Sequence, residues 1–499
     1  MPQRHPMRRH LTMLATFAAT ALLAAACGGD DGAESSNGGG DGGEDVVAAF
    51  DCPVGAHTEA DGTTEITVWH AYNTSTQATL EAIAEEYNES QDDVRVRVEA
   101  QGTYEELLTK YETAIGDPDT LPDVVFAEDT NLQFLIDSGT VIPAAACIEA
   151  DDDAAEFYDD VVPSVTNAYT VDDALWPAAF GVSMPIMYVN LDHLRAAGLD
   201  PEDPPGNFEE LREAAEAIRD AGLPGMEQPV VMTLNGWFLE NWLTGAGQLI
   251  VDNANGREGL ATTSEFDNDA TEQVFEWIAS MSEDGLLKTF PATGGFDHYF
   301  SLARQHGSIL IDGSRAITPI VSVIDSTRSQ AAGVDVSELD DTDLQGLDVT
   351  VAPIAGLEEP GKGAVAGSAG YVVAGSDDAS IAAAWDFFRW FNTIDNQVRW
   401  TLEGSYLPVT ESAQEHPELT EAFESDRAGQ WLAVAYEQLR TLDADFPGPV
   451  MGPYKEFRSG VQAAMERVAE AGADPRSAIE EFDEQFQAAL DAYRREVGG

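Results

Sequence analysis

The sequence predicts an α/β fold with more than one domain-sized unit and a mostly helical C-terminal end. Three observations support this prediction: the length, the alternation of strand and helix patterns, and the long helical patterns near the end. The chain has 499 residues, of which 43% are apolar. A chain of this length exceeds one ordinary hydrophobic core, so two or three units are expected.

The first part of the predicted folded region alternates between two periodicities. Thr64–His70 and Val94–Val98 alternate apolar and polar residues, as strands do. Thr76–Ser90 and Tyr104–Ala114 carry apolar residues on one helical face, and Asp123–Phe126 predicts a short buried strand. Short connections in this strand–helix order are typical of a mostly parallel sheet.

The rest of the chain continues this alternation and then becomes helical. Asn207–Ala221 and Thr271–Asp284 predict amphipathic helices, and Leu347–Pro353 and Gly370–Ala374 predict strands. The C-terminal helices are predicted at Ile381–Phe391, Asp395–Leu402, Pro417–Ser425, Tyr454–Ala471 and Pro475–Val497.

The charge balance is strongly acidic. The sequence has 90 Asp and Glu residues against 25 Lys and Arg residues, which gives a formal net charge of −65. Nucleic acid binding needs a basic surface, so the composition argues against that class of partner. A solvated surface on an exported protein in saline surroundings accounts for so many acids.

The N-terminus has the features of an export signal. Arg4, Arg8 and Arg9 precede Leu11–Ala26, a run of apolar and small residues that is short for a transmembrane helix. The run ends directly before Cys27, and this arrangement resembles a bacterial lipoprotein lipobox. The resemblance implies that Cys27 is lipidated and becomes the new N-terminus.

A low-complexity segment and two further cysteines follow. Gly28–Ala49 is rich in Gly, Asp, Ser and Glu and cannot bury a core, so we expect a disordered tether there. Cys52 and Cys147 are the remaining cysteines. In an exported chain a disulfide between them is favoured over two free thiols.

Short motifs occur in order through residues 64–495. They are Ile66–Ala71, Ile83–Asn88, Tyr104–Leu108, Pro122–Val125, Met187–Asn190, Ala197–Pro201, Asn207–Leu211, Gly367–Gly370 and Tyr406–Thr410. Together with the lipobox, this ordered set resembles the extracellular solute-binding proteins of ABC importers, in the large carbohydrate-binding family. Within that family it is most similar to the glycerol-3-phosphate and glycerophosphodiester binding proteins.

The resemblance implies a two-lobed, periplasmic-binding-protein-like (type II) fold with the ligand between the lobes. The chain is then expected to cross between the lobes three times, near Pro185–Tyr188, Thr350–Pro353 and Phe391–Asp395. The implied organisation is a signal peptide at 1–26, a tether at 27–57, a first lobe at 58–185 plus 351–391, and a second lobe at 188–350 plus 396–499.

The same resemblance implies the residues that contact the ligand. They belong to motif positions of the family, apart from Trp237, which stands one place out of register with the tryptophans of the close relatives. The implied ligand-binding residues are Tyr104, Glu105, Ser183, Trp237, Gly367, Tyr406 and Arg458.

The residue types agree with a polar ligand that carries a phosphate. Arg458 offers the bidentate donor that a phosphate needs, and Arg315 is a second candidate. The alternative for each arginine is that it neutralises carboxylates of the protein. A neutral mono- or oligosaccharide is therefore the alternative ligand, and aromatic residues such as Tyr72 and Trp242 are candidates for stacking or for the core.

These observations predict a substrate-binding subunit that captures a small solute and delivers it to ABC permease subunits. We expect a monomer, held by its lipid on the extracytoplasmic face of the cell membrane, without catalytic activity, cofactor or metal.

A cell-surface hydrolase is the competing class. Its strongest signal is Ala366–Gly370, a near miss of a nucleophile elbow with Ala in place of the first Gly, and His416 is the only later histidine.

Overall fold

The computed structural model describes residues 46–291, 296–325, 347–375 and 377–497. The predicted signal peptide, Cys27 and most of the predicted tether lie outside the described residues. Within the described ranges, no helix is long and apolar enough to cross a membrane.

The described residues form thirteen strands. In chain order they are β1 (Thr64–His70), β2 (Val94–Ala100), β3 (Val124–Glu128), β4 (Val141–Ile142), β5 (Thr170–Val171), β6 (Ala174–Leu175), β7 (Ala179–Ser183), β8 (Pro185–Asn190), β9 (Val230–Thr233), β10 (Leu287–Phe290), β11 (Ile309–Gly313), β12 (Val349–Pro353) and β13 (Ala366–Val373).

Eleven of the strands assemble into two separate sheets, which define the two lobes, and β5 and β6 pair with each other in a two-stranded sheet. The sheet of the first lobe has the order β2-β1-β3-β13-β4, and β7 also pairs with β13. In this sheet β1 is parallel to β2 and β3, whereas β13 is antiparallel to its neighbours. The sheet of the second lobe has the order β10-β9-β11-β8-β12. The α/β class is confirmed.

Helices cover the sheets and make up most of the C-terminal part, as predicted. Before β12 the main helices are Thr74–Ser90, Tyr104–Ile115, Leu132–Ser138, Ala144–Ala150, Ala155–Asp159, Pro163–Ala168, Leu191–Ala196, Phe208–Asp220, Gly236–Gly245, Asp269–Glu283, Asp297–Ala303 and Ile317–Asp325. After β13 they are Asp378–Phe391, Ile394–Leu402, Pro417–Ser425, Arg427–Arg440, Tyr454–Ala471 and Pro475–Val497.

Each lobe has its own hydrophobic core. The first contains the strand residues Val68, Val125 and Tyr371 together with Trp385 and Phe388 of the helix that packs on them. The second lobe buries side chains from its sheet and from the C-terminal helices, including Met232, Ile311, Phe457, Phe482 and Phe486. The long C-terminal helices therefore complete the core of the second lobe.

The first two crossings between the lobes lie at the ends of paired strands. β7 ends at Ser183 in the first sheet and β8 begins at Pro185 in the second, so the chain crosses at Met184. The second crossing comes later than predicted, because β12 pairs with β8 through Pro353. The chain therefore returns to the first lobe between residues 354 and 365, not at Thr350–Pro353.

The third crossing also lies further along the chain than predicted. The ring of Trp400 lies 5.1 Å from that of Phe391 in the first-lobe core. The Leu407 N–H donates to the Val182 carbonyl at 2.9 Å. These contacts place residues 396–410 with the first lobe, so a second lobe that resumes at 396 is wrong. The chain rejoins the second-lobe core by Met451.

The predicted tether is shorter than expected, because the chain packs against the first lobe well before residue 57. Val47 and Cys52 are buried, and Phe50 meets the Trp176 ring edge-on at 6.1 Å. Cys52 and Cys147 form a disulfide. The bridge fixes this N-terminal segment to the helix Ala144–Ala150.

Removing the bridge should destabilise the protein. The two cysteines are separated by 95 positions, and closing so long a loop restricts the unfolded chain. We expect replacement of both cysteines by alanine to lower the free energy of unfolding by about 2–5 kcal/mol in denaturant titrations. A reductant should lower the unfolding midpoint of the natural chain and leave that of the double variant unchanged. Equal stability of the two proteins would contradict the structural role.

Gly367 allows β13 to approach β7 closely. Its φ is +133°, and a Cβ there would lie 2.1 Å from the Gly181 carbonyl oxygen. Gly375 makes a useful comparison, since its φ is +105° and a Cβ there would meet nothing within 4 Å. Both positions favour glycine, but only Gly367 also lacks space for a side chain.

Substitution of each of these two glycines by alanine distinguishes the cost of the backbone conformation from the cost of a steric clash with β7. Gly375→Ala should cost about 1–2 kcal/mol for the backbone conformation alone. Gly367→Ala should cost about 1–3 kcal/mol more, because β7 must move. Thermal unfolding of both variants tests this difference, and equal midpoints would show that the strand approach tolerates a methyl group.

Candidate functional site

A cavity of about 350 Å³ lies between the two lobes. Strand ends converge on it from both sheets, since Glu128 ends β3, Ser183 ends β7 and Gly313 ends β11. Open α/β sheets bind ligands at such edges, and the volume falls at the lower end of the range for small-molecule sites.

The structure brings together all but one of the predicted ligand-binding residues. Glu105 is the exception: its side chain is 73% exposed and pairs with Lys455 at 3.1 Å. It therefore lies outside the cavity, although its neighbour in sequence contributes to it. The predicted residues that line the cavity are Tyr104, Ser183, Trp237, Gly367, Tyr406 and Arg458.

Tyrosine hydroxyls form the wall contributed by the first lobe. Thr103 caps the helix that begins at Tyr104, in a reciprocal arrangement with Glu106. This cap fixes the start of the helix and so positions Tyr104, whose hydroxyl lies 3.3 Å from that of Tyr406. Burial raises the pKa of Tyr104 well above its ordinary value, so its phenol stays neutral.

A second layer of side chains supports this wall from behind. Tyr406 stacks on Trp400 with ring centres 5.3 Å apart. The Ser368 hydroxyl lies 2.7 Å from the Tyr72 hydroxyl and 3.4 Å from that of Tyr406. Ser368 is fully buried in the middle of β13, not at the exposed strand-to-helix turn that a hydrolase elbow requires.

Trp237 forms part of the wall contributed by the second lobe. Asn235 caps the helix Gly236–Gly245 and accepts the Trp237 N–H at 2.9 Å. The indole lies against Gly313, where a Cβ would be only 3.2 Å from its ring. Trp242 is a core residue instead, buried and donating to the Ala355 carbonyl at 3.0 Å.

Arg458 lies among three carboxylates, and we call Arg458, Glu128, Asp129 and Glu240 the arginine cluster. Its Nε and Nη2 each donate to Glu240 at 2.8 Å. Its Nη1 donates to Glu128 and its Nη2 to Asp129, both at 3.1 Å. Glu240 belongs to the second lobe and the other two acids to the first, so the cluster joins the lobes.

The arginine cluster carries more acid than base. Burial raises the pKa of Glu240 and of Glu128, and the nearby Arg458 opposes this effect on both. One guanidinium therefore faces three carboxyl groups that share its donors. The Arg458 predicted to hold a phosphate is engaged with the protein itself.

The backbone N–H of Gly367, another of the implied ligand-binding residues, is also engaged. Its N–H donates to Asp129 Oδ1 at 3.1 Å. Asp129 thus connects the start of β13 to the arginine cluster.

Arg315 is the second guanidinium in the cavity lining. It lies in the turn between β11 and the helix Ile317–Asp325, with its guanidinium carbon 5.1 Å from the Tyr406 ring centre. Its Nε is buried without a hydrogen-bond partner.

Two further contacts join the lobes outside the cavity lining. Lys455 pairs with Glu105, and the Tyr493 hydroxyl donates to Asp137 at 2.5 Å. Both second-lobe residues belong to the C-terminal helices, which also carry Arg458.

Several lining residues were not predicted from the sequence. Asn235 precedes a Gly-Trp pair and a helical pattern, so its role as a helix cap was a usable signal. Tyr299 and residues 73–76, at the start of the helix Thr74–Ser90, line the cavity as well, and no motif indicated them.

The family profile of bacterial extracellular solute-binding proteins matches residues 82–426, more than two thirds of the chain. Among curated relatives, the sn-glycerol-3-phosphate-binding periplasmic protein UgpB of Pectobacterium atrosepticum is 23% identical over 441 residues, covering 86% of this chain and 92% of the relative. UgpB of Yersinia pestis is 24% identical over 425 residues, covering 84% of this chain and 90% of the relative.

Solved structures of binding proteins share the fold. The sugar-binding protein MalE of Xanthomonas citri superposes with a TM-score of 0.69 at 17% identity, covering 87% of this chain and 99% of its own. UgpB of Mycobacterium tuberculosis, in complex with glycerophosphocholine, superposes with a TM-score of 0.67 at 16% identity, covering 87% of this chain and 100% of its own. These likenesses confirm the two-lobed, type II fold.

The matched profile, the two lobes and the cavity between them agree. The chain belongs to the family of bacterial extracellular solute-binding proteins, the solute-binding components of ABC transporters.

Proposed function

We propose that this chain captures a glycerophosphodiester or glycerol 3-phosphate between its lobes and delivers it to an ABC permease. The observation that carries this proposal is the interlobe cavity, which combines aromatic rings, hydroxyl groups and a guanidinium. Aromatic rings suit the apolar faces of a small polar solute, and the polar groups fix its orientation. The curated relatives named for glycerol 3-phosphate support the phosphate class.

The charge pattern of the cavity favours a phosphodiester that also carries a cation. The arginine cluster is net acidic, and Trp237 lies in the same cavity beside it. Acidic groups and an aromatic face attract an ammonium group, whereas they repel a second negative charge. A zwitterionic solute therefore fits better than a phosphate monoester.

A neutral mono- or oligosaccharide is the second candidate. The observation in its favour is that every nitrogen of Arg458 already donates to a carboxylate. Carboxylates that face a cavity can accept hydrogen bonds from sugar hydroxyls, and tyrosine rings can stack on a sugar face.

The expected cellular arrangement follows from the N-terminus. We propose that Cys27 carries a lipid that holds the protein, as a monomer, on the extracytoplasmic face of the cell membrane. The chain then binds its solute without transforming it, and the permease subunits are its partners.

A thermal-shift screen with the purified full-length chain in detergent tests the capture of a solute. Ligand stabilises the state that binds it, by about 2.7 kcal/mol at a concentration of 100 times Kd. We expect sn-glycero-3-phosphocholine to raise the unfolding midpoint most, sn-glycerol 3-phosphate less, and maltose least. Chromatography after incubation should recover each compound unchanged.

Three results of this screen would contradict the proposal. A shift with maltose alone would favour the sugar alternative, and recovery of hydrolysis products would show an enzyme. No shift with any of the compounds would reject both proposed ligand classes.

Arg458→Met is expected to destabilise the protein even without solute. It leaves the buried Glu240 and its two neighbouring acids without a cation, and breaking such a buried pair costs about 3–5 kcal/mol. Lys455→Met is the matched control on the same helix, because its exposed pair contributes about 0–1 kcal/mol.

Denaturant titrations measure both variants, and small-angle scattering measures their compactness. We expect Arg458→Met to be the less stable and the more open of the two. Equal stabilities would show that the arginine cluster does not hold the lobes together.

A further inference from the structure

We propose that Arg315, and not Arg458, binds the anionic group of the solute. This inference rests on the proposed function of the cavity and specifies which residue sets its preference for an anion. The two guanidiniums in the lining differ in what already occupies their donors.

Four of the five N–H donors of Arg458 are already directed at carboxylates. Its Nε, Nη1 and Nη2 donate to Glu240, Glu128 and Asp129 at distances between 2.8 and 3.1 Å. A phosphate that approached it would displace a carboxylate and would meet the negative charge of the others. Like charges in a partly buried site repel strongly, so this end of the cavity disfavours an anion.

Arg315 is in the opposite situation. Among the residues that the structure describes, no carboxylate lies within ion-pair distance of its guanidinium, and its buried Nε has no partner. A guanidinium that lines the cavity and has no carboxylate partner keeps its positive charge available to an anion there.

The nearest acid in sequence is directed elsewhere. Asp312 accepts the Gly313 N–H at 2.6 Å through one carboxylate oxygen. Its other oxygen lies 3.1 Å from His298 Nε2. Both oxygens of Asp312 thus contact groups other than Arg315, and Asp312 makes no ion pair with that residue.

The backbone that carries Arg315 is fixed at the first crossing between the lobes. The Ser314 N–H donates to the Met184 carbonyl at 2.8 Å, and the Met184 N–H donates to the Ser314 hydroxyl at 3.2 Å. The Tyr188 hydroxyl donates to the Gly313 carbonyl at 2.9 Å. The guanidinium is therefore attached to a backbone held by the crossing residue Met184 and by β8.

Neutral donors surround this guanidinium. Tyr406 stacks beneath it, and the hydroxyls of Tyr406 and Tyr104 lie 3.3 Å apart. A phosphate accepts several hydrogen bonds at once, and a guanidinium beside phenolic hydroxyls can supply them.

Titration calorimetry on the full-length chain in detergent tests the assignment. The probes are sn-glycero-3-phosphocholine, sn-glycerol 3-phosphate and maltose. The variants are Arg315→Gln, Arg315→Lys and the control Arg476→Gln, which removes an exposed arginine that pairs with Asp267 outside the cavity. Thermal unfolding of each variant establishes that it is folded.

We expect Arg315→Gln to weaken binding of both phosphate compounds by about 30-fold or more, since it truncates one partner of a charged contact. Arg315→Lys should weaken binding less, because it keeps the charge and loses only the bidentate geometry. Arg476→Gln should bind as the natural chain does. Raising the salt concentration should weaken phosphate binding by the natural chain more than by Arg315→Gln.

The remaining outcomes overturn the inference in distinguishable ways. Unchanged phosphate binding by Arg315→Gln would show that Arg315 only stacks on Tyr406, while the proposed function would stand. Binding of maltose but of neither phosphate compound would show that the site does not bind an anion, while the capture of a solute would stand. Binding of none of the three probes would contradict the proposed function as well. If Arg315→Gln does not fold, Arg315→Lys takes its place in the test. Equal phosphate affinities of Arg315→Lys and the natural chain, at both low and high salt, would then overturn the bidentate contact.

Discussion

The contact between Arg458 and carboxylates of both lobes is the constraint on which the rest of the cleft depends. Glu240 is only 3% exposed, so it cannot remain ionised there without its cation. Arg458 and Glu240 therefore belong together within the second lobe, and Glu128 and Asp129 of the first lobe approach them when the lobes meet. The contact between the lobes therefore includes an ionic network made of the protein's own side chains. Because Asp129 also accepts the Gly367 N–H, the same network holds the start of β13.

This network explains why two similar arginines in one cavity have different environments. Arg458 is neutralised by the protein, so its charge stabilises the contact between lobes. Arg315 faces rings and hydroxyls that were ordered by other contacts: Tyr406 stacks on Trp400, and Ser368 bonds to Tyr72 behind the wall. Side chains fixed before the ligand arrives lose little conformational freedom on binding, which favours affinity and a defined orientation. The ordered wall of the first lobe thus favours binding of the ligand, whereas the ionic contact of Arg458 stabilises the interface between the lobes.

The sequence allowed the local parts of this structure to be predicted and not the long-range ones. The strand at Thr64–His70 and the helices that end the chain follow from periodicity, which depends on neighbouring residues alone. The crossing after Pro353 could not be predicted, because a strand has the same pattern whichever sheet it joins. Motif positions placed Tyr104 and Tyr406 in the cavity. The pairing of Arg458 with three acids from distant segments could not be predicted, because the sequence offers 90 acidic residues as possible partners.

The net charge of −65 acts on the solute differently at long and short range. Far from the protein, an anion meets a negative field, which slows its arrival and is screened over about 8 Å at physiological salt. Within the cavity, Arg315 is close enough to act directly, and no described carboxylate pairs with it. Arrival is therefore slowest, and binding most sensitive to salt, for a solute whose net charge is most negative. A solute that is neutral overall but carries a local negative charge is not repelled by the net charge of the protein at long range and is still attracted by Arg315 within the cavity.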